Sequence, residues 1–255
     1  LSASREEGER AMTTLKGKRV VVLGGTSGIG LAVAQAAAEE GASVVVASHR
    51  EEAVNRARAA LSAQPGSEVT AQVVDVSRED AIQAFFTGAG RFDHLAYTCG
   101  DDLPIGPLAR VDLRVARARF EVRYWGAVAA VKYGAPSIRE GGSIVLTSGF
   151  SATRPRPGWT SQASIQSAVE GLTRALALEL GPLRVNAVSP GVSRTPRWDA
   201  WTEEARAAFY RNEVERLPVK RVGEASDLAA AFIYLMKNPY ATGCVLPVDG
   251  GGALV

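Results

Sequence analysis

"RVVVLGGTSGIGLAVAQAAAEEG" (residues 19–41) changes its periodicity in the middle. It begins as an unbroken β-branched and aliphatic run, which fits a strand buried on both faces. It ends with apolar residues at helical spacing as far as Gly41, a helix stop signal. Between the two stands LGGTSGIG, residues 23–30. Gly24 lets the chain turn sharply at the strand end. Gly28 leaves no side chain where a phosphate would approach, and Gly30 lets helix and strand pack closely. A helix starting here aims its free N–H groups and its positive dipole end at the turn. Strand, glycine turn and helix in this order predict a dinucleotide-binding unit. Gly24, Thr26, Ser27, Gly28, Ile29 and Gly30 would surround the pyrophosphate.

The alternation continues outward from that stretch. Apolar runs at 43–49, 68–76, 92–100, 142–149, 183–191 and 243–251 read as further strands. Helical patterns fall at 51–63, 78–90, 112–134, 162–180, 202–215 and 225–237. The strands read as continuously apolar rather than alternating, the mark of a parallel sheet covered on both faces. The expected fold class is α/β: a Rossmann-type doubly wound parallel sheet of about seven strands, with helices on both faces. One domain is expected over 13–255. Residues 1–12 read as an N-terminal arm, or a remnant ahead of a start at Met12.

Bulk properties exclude several function classes. The 255 residues are 46% hydrophobic and 22% charged, with a formal net charge of +2. That charge is too small to argue for nucleic acid or an anionic membrane. The N-terminal segment is charged, and no apolar run spans a bilayer, so a cytoplasmic protein is expected. The two cysteines, Cys99 and Cys244, and the two histidines, His49 and His94, have no metal-type spacing. No metal site is expected, and the cysteines read as reduced thiols.

The second strand ends in Ser48, His49 and Arg50. A fold that prefers NAD usually carries an acid there, bonded to the ribose 2′-OH. A hydroxyl plus a cation suits a 2′-phosphate, so NADP(H) is expected over NAD(H).

Several motifs occur together in order: GGTSGIG, Asp75-Val76 after the third strand, SPGVSRT (189–195) and TGCVLPVDGG (242–251). With these the chain resembles the short-chain dehydrogenase/reductase family of classical length, from about residue 16 onward. The resemblance implies that Asp75 and Val76 flank the adenine, and that Pro190, Gly191 and Val192 bracket the nicotinamide. It also implies that Thr195 touches the pyrophosphate. YTCG (97–100) falls on the family's Asn-Asn-Ala-Gly segment, which adds Thr98 and Gly100 to the cofactor set.

The family's chemistry uses Asn, Ser, Tyr and Lys, with the Tyr hydroxyl as general acid–base and the Lys lowering its pKa. The resemblance places the Tyr and Lys on Gln162 and Gln166, the Ser on Gly149 and the Asn on Arg123. No tyrosine lies between Tyr133 and Tyr210 and no lysine between Lys132 and Lys220, so no small slip of alignment restores the pair. A primary amide has no usable acid–base pKa near neutrality, yet it donates and accepts hydrogen bonds. Gln162 could orient a carbonyl, and Gln166 could bond the ribose. Arg123 could restore a cation beside the nicotinamide or substrate, acting electrostatically. Ser148, Tyr97 and Tyr124 are further candidate proton sources, each with a structural role as the plainer alternative. Arg154, Arg156, Trp159, Trp198 and Trp201 could frame a small-molecule pocket for an anionic or aromatic substrate.

Three functions fit this pattern. The first is an NADP(H)-dependent oxidoreductase on a carbonyl/alcohol pair with a non-standard site. The second is a non-redox enzyme on the same scaffold. The third is a catalytically inactive dinucleotide-binding sensor or assembly protein. The resemblance also implies association into a homotetramer or homodimer.

Overall fold

The computed structural model describes residues 13–63, 68–100 and 105–255; the arm expected over 1–12 lies outside these. Among the described residues, seven parallel strands form one sheet in the order β3-β2-β1-β4-β5-β6-β9. They are β1 (Arg19–Leu23), β2 (Ser43–Ser48), β3 (Val69–Val73), β4 (Phe92–Tyr97), β5 (Ile138–Thr147), β6 (Arg184–Pro190) and β9 (Val245–Val248). Two-residue strands β7 (Ser193–Arg194) and β8 (Gly223–Glu224) pair with each other outside it. The intervening helices are α1 (Gly28–Glu39), α2 (Glu51–Ser62), α3 (Glu79–Ala89), α4 (Leu113–Phe120), α5 (Gly126–Gly134), α6 (Thr160–Glu179), α7 (Glu203–Arg216) and α8 (Ala225–Lys237). This is the doubly wound architecture read from the sequence.

Strand β1 shows why its apolar run is unbroken. Alternate residues point to opposite faces. Val20 and Val22 enter the core that packs α1 and α8 on one face, while Val21 and Leu23 enter the core beneath α3, α5 and α6. Helix α1 meets the sheet through Gly30, Val33, Ala34, Ala37 and Ala38, a stripe at helical spacing. Small residues in that stripe let helix and sheet approach closely.

Three expectations are corrected. Strand β3 is not buried throughout: Thr70, Gln72 and Val73 are exposed, because β3 is an edge strand with only β2 beside it. Strand β5 starts at Ile138 rather than 142 and ends at Thr147, so Ser148 and Gly149 lie in the connection to α6. The helix expected over 112–134 is broken by a π turn at Glu121–Trp125. The wider turn frees the Val122 carbonyl, which accepts a hydrogen bond from the buried Tyr97 hydroxyl.

Two buried polar residues brace the sheet away from the strand ends that face the site. Arg184 donates to the carbonyls of Leu235 and Met236, both at 2.7 Å, and so caps the C-terminus of α8. Burial holds its pKa below the usual arginine value. His94 Nδ1 lies 2.9 Å from Ser143 Oγ across β4 and β5. Its burial, together with the field of Arg184, lowers its pKa to about 4.

Candidate active site

The chain winds outward from β1 to β3 and then returns to β4 on the other side of β1. In such a sheet the crevice beyond the carboxyl ends of β1 and β4 is the natural ligand site. A cleft of about 990 Å³ opens there. It is lined by Gly24, Thr26, Ser27, Gly28, Ile29 and Gly30 from the first turn, by Ser48, His49 and Arg50 after β2, and by Asp75 and Val76 after β3. Thr98 and Gly100 after β4 join them, with Pro190, Gly191, Val192 and Thr195 after β6. Arg123, Ser148, Gln162 and Gln166 complete the other half. Residues scattered over most of the sequence thus share one cavity.

The first turn is tightly built. Gly24 has φ 85°, in the left-handed region, and its N–H donates to Ala47 O at 2.8 Å. A Cβ on Gly30 would lie 2.2 Å from Gly24 O and 2.3 Å from Thr98 Oγ1, so no side chain fits. Thr98 Oγ1 itself donates to Leu23 O at 2.9 Å and ties the β4 end to the β1 end. The first turn of α1 holds no acidic residue, and Ser27 makes no side-chain cap there. Helices α2 and α3 instead carry Glu51, Glu52, Glu79 and Asp80 in their first turns. The positive end of α1 is therefore left for an anion from outside the chain. At the next strand, the Ser77 hydroxyl and N–H donate to Asp75 Oδ1 at 2.7 and 3.0 Å and hold its carboxyl below the usual range. These residues fit a dinucleotide with an adenosine end at Asp75 and a phosphate at α1.

The other half of the cleft is centred on α6. Gln162 is buried, and Gln166 follows one turn later on the same face. Ser151, fully buried, donates to Gln166 Oε1. Ser148 lines the cleft, but its hydroxyl is turned onto α6, donating to Glu170 Oε1 at 3.0 Å. The Arg123 guanidinium lies against Gly100: a Cβ there would sit 2.4 Å from Arg123 Cζ. Tyr97 and Tyr124 are not among the cleft-lining residues. The Tyr97 hydroxyl is spent on Val122 O, and Tyr124 packs edge-on to Phe120 and Trp125.

Over this half sits a small separate core of Phe150, Trp159, Val192, Trp198, Tyr210 and Val222. Phe150, Trp159 and Trp198 face the cleft as well. Trp201 is not among the lining residues; it packs behind Trp198 with ring centroids 5.2 Å apart. Arg156 does not reach for an anion. It is held by the buried Glu213 in two bonds of 2.6 and 2.9 Å, and it lies over the Phe150 and Trp159 rings. Arg154 is exposed and outside the cleft.

Sequence reasoning missed Ser151, Arg119 and Arg197, the two arginines being cleft-lining. No local signal marks Ser151, since its partner lies fifteen residues away across the β5–α6 connection. Among the described residues no group of three or more His, Cys, Asp or Glu side chains comes together, and Cys99 and Cys244 are free thiols. Among them, too, no helix is long and apolar enough to cross a membrane.

The chain is similar to known proteins over most of its length. A family model described as enoyl-(acyl carrier protein) reductase matches residues 24–252. The short-chain dehydrogenase/reductase ucsE of Acremonium sp is 34% identical over 260 residues, covering 96% of this chain and 98% of the relative. A solved small-chain dehydrogenase in complex with NADPH is 35% identical with a TM-score of 0.81, covering 94% of this chain and 100% of that one. The MalC reductase/Diels-Alderase of Malbranchea aurantiaca is 31% identical with a TM-score of 0.87, covering 94% of this chain and 97% of the other.

Proposed function

The chain belongs to the short-chain dehydrogenase/reductase family, and from that premise we propose that it is an NADP(H)-binding oxidoreductase acting on a carbonyl/alcohol pair through a non-standard catalytic site. The observation that carries the reading is the shared cleft, with its uncapped, acid-free α1 terminus at one end and the two α6 glutamines at the other. Ser48 and Arg50 at the β2 end offer a hydroxyl and a cation to a 2′-phosphate, with His49 between them, and none of these three is the acid that prefers the free hydroxyl. That a relative of 35% identity was solved with NADPH supports this choice.

The bound dinucleotide supplies the hydride; the chain supplies position and field. The α1 N–H groups hold the pyrophosphate. Gln166 donates to the ribose hydroxyls, and Gln162 orients the substrate oxygen. Arg123, from the π turn, offers a positive charge that stays protonated and so stabilises developing negative charge without passing a proton. The site is degenerate by the family's pattern, because Gln162 and Gln166 cannot act as an acid–base pair. The proton then comes from water or another group. Phe150, Trp159 and Trp198 favour an aromatic or otherwise planar small molecule, whereas Arg156 is already neutralised by Glu213.

Stereospecifically deuterated NADPH tests the proposal on a panel of aromatic ketones and aldehydes. Deuterium in the alcohol product is the expected result. Absence of NADPH and NADH binding in a fluorescence titration would overturn it. A second reading, a non-redox reaction in the same cleft, draws on the uncharged amides beneath an aromatic roof and on the relative described as a reductase/Diels-Alderase. Product formed with no change in dinucleotide absorbance would select that reading.

A further inference from the structure

We propose that Gly149 and Ser151 are positioning residues that hold the Gln166 carboxamide as a fixed, uncharged N–H donor in the cleft. The inference rests on the dinucleotide reading above and deepens it, because the donor would serve an acceptor oxygen of the bound ribose. Three observations place the amide. Ser151 is fully buried and donates to Gln166 Oε1, which leaves Nε2 as the other arm of the carboxamide. A Cβ on Gly149 would lie 2.2 Å from that Nε2, 2.5 Å from Cδ and 2.7 Å from Oε1. Ser148 Oγ lies 3.3 Å from the Gln166 backbone carbonyl oxygen, which ties the same connection to the helix turn that carries the side chain. The carboxamide therefore lies directly across the Gly149 backbone, with its carbonyl turned to Ser151 and its nitrogen on the glycine side.

Gly149 has φ 175°, an extended backbone that any residue adopts. Glycine is needed here for space, not for conformation. Any side chain at 149 would occupy the volume that the amide fills. Gly149 and Gln166 are thus mutually required, and Ser151 selects which end of the amide faces its neighbour. All three contacts come from the β5–α6 connection, so this one segment fixes the donor. An amide does not titrate near neutrality, so its donation is constant where a lysine ammonium would be lost at high pH.

A double-mutant cycle on NADPH affinity tests the proposal. NADPH is titrated into the wild-type chain, Gly149→Ser, Gln166→Ala and the double variant at pH 6.5 and 9.0, with nicotinamide fluorescence as readout. Each single change is expected to weaken binding about 3–10-fold, the worth of one neutral hydrogen bond. The double variant is expected to bind no worse than Gln166→Ala, since the glycine acts only through the glutamine. Ser151→Ala is expected to weaken binding by less, and the wild-type to Gln166→Ala ratio to be the same at both pH values. Wild-type affinity in Gly149→Ser, losses that multiply in the double variant, or a ratio that changes with pH would each overturn the inference. A wild-type chain that binds neither NADPH nor NADH would instead overturn the dinucleotide reading. Thermal unfolding of the same four proteins then decides the packing alone. Gly149→Ser should lower Tm and Gln166→Ala should restore it in the double variant; additive losses would overturn the placement.

Discussion

The Arg156–Glu213 pair tests how the roof over the cleft is held. Glu213 has a side chain 5% exposed, and Arg156 one 20% exposed, with a bidentate contact between them. Glu213→Ala leaves the Arg156 guanidinium half-enclosed between rings with no carboxylate. Breaking one partner of a buried pair costs about 3–5 kcal/mol. Arg156 keeps some access to water, and Arg216 shares Glu213 at 3.6 Å, so the lower end, about 3 kcal/mol, is the expected loss. In a chain of this size that corresponds to a Tm lower by roughly 6–12 °C. The guanidinium would also leave the Phe150 and Trp159 faces, where each contact is worth about 0.5–1 kcal/mol. Scanning calorimetry of Glu213→Ala gives the first number. The double variant Arg156→Met/Glu213→Leu is the control: it removes both charges and is expected to recover most of the stability. A Glu213→Ala protein within about 1 kcal/mol of wild type would refute the reasoning, for that is how an exposed pair behaves. So would a double variant less stable than the single one.

Other expectations are as specific. Arg50→Glu should weaken NADPH binding about 10–100-fold while changing NADH little, since only the former carries the 2′-phosphate; isothermal titration measures both. Gly30→Ala should cost about 1–3 kcal/mol in urea unfolding and abolish dinucleotide binding, because its Cβ would press on Gly24 O and Thr98 Oγ1. His94 is held neutral when folded, with a pKa lowered to about 4. The unfolded chain then binds the extra proton first, so stability is full above pH 6.5 and falls as pH drops toward 4. The His94 share of the loss by pH 4.5 is about 2–3 kcal/mol. Urea unfolding at pH 7.5 and 4.5 should show a smaller difference in His94→Asn than in the wild type.

Much of the molecule follows from local rules. The apolar β1 run, the glycine turn and the small-residue stripe of α1 can only pack as a strand and helix around a narrow bend. Repetition of that unit gives a parallel sheet with helices on both faces. The same turn chemistry picked out the glycine turn that lines one end of the cleft, because glycine spacing and a helix N-terminus are short-range features. The sequence likewise exposed Gln162 and Gln166 as amides on one inward stripe, at a place where the resemblance leads to an acid–base pair.

Tertiary structure decided what those amides touch. Nothing in the spacing of Gly149, Ser151 and Gln166 shows that the amide lies over the glycine, since that contact forms only when the β5–α6 connection folds back on α6. The π turn was equally hidden: its Val122 carbonyl accepts from the Tyr97 hydroxyl, which is carried on β4, twenty-five residues away. Arg156 looked like an anion site in its proline-broken loop, yet Glu213, fifty-seven residues on, neutralises it. Periodicity and turn chemistry act over a few residues and can be read along the chain. Charge pairing, side-chain displacement and helix register depend on groups that only folding brings within a few ångströms.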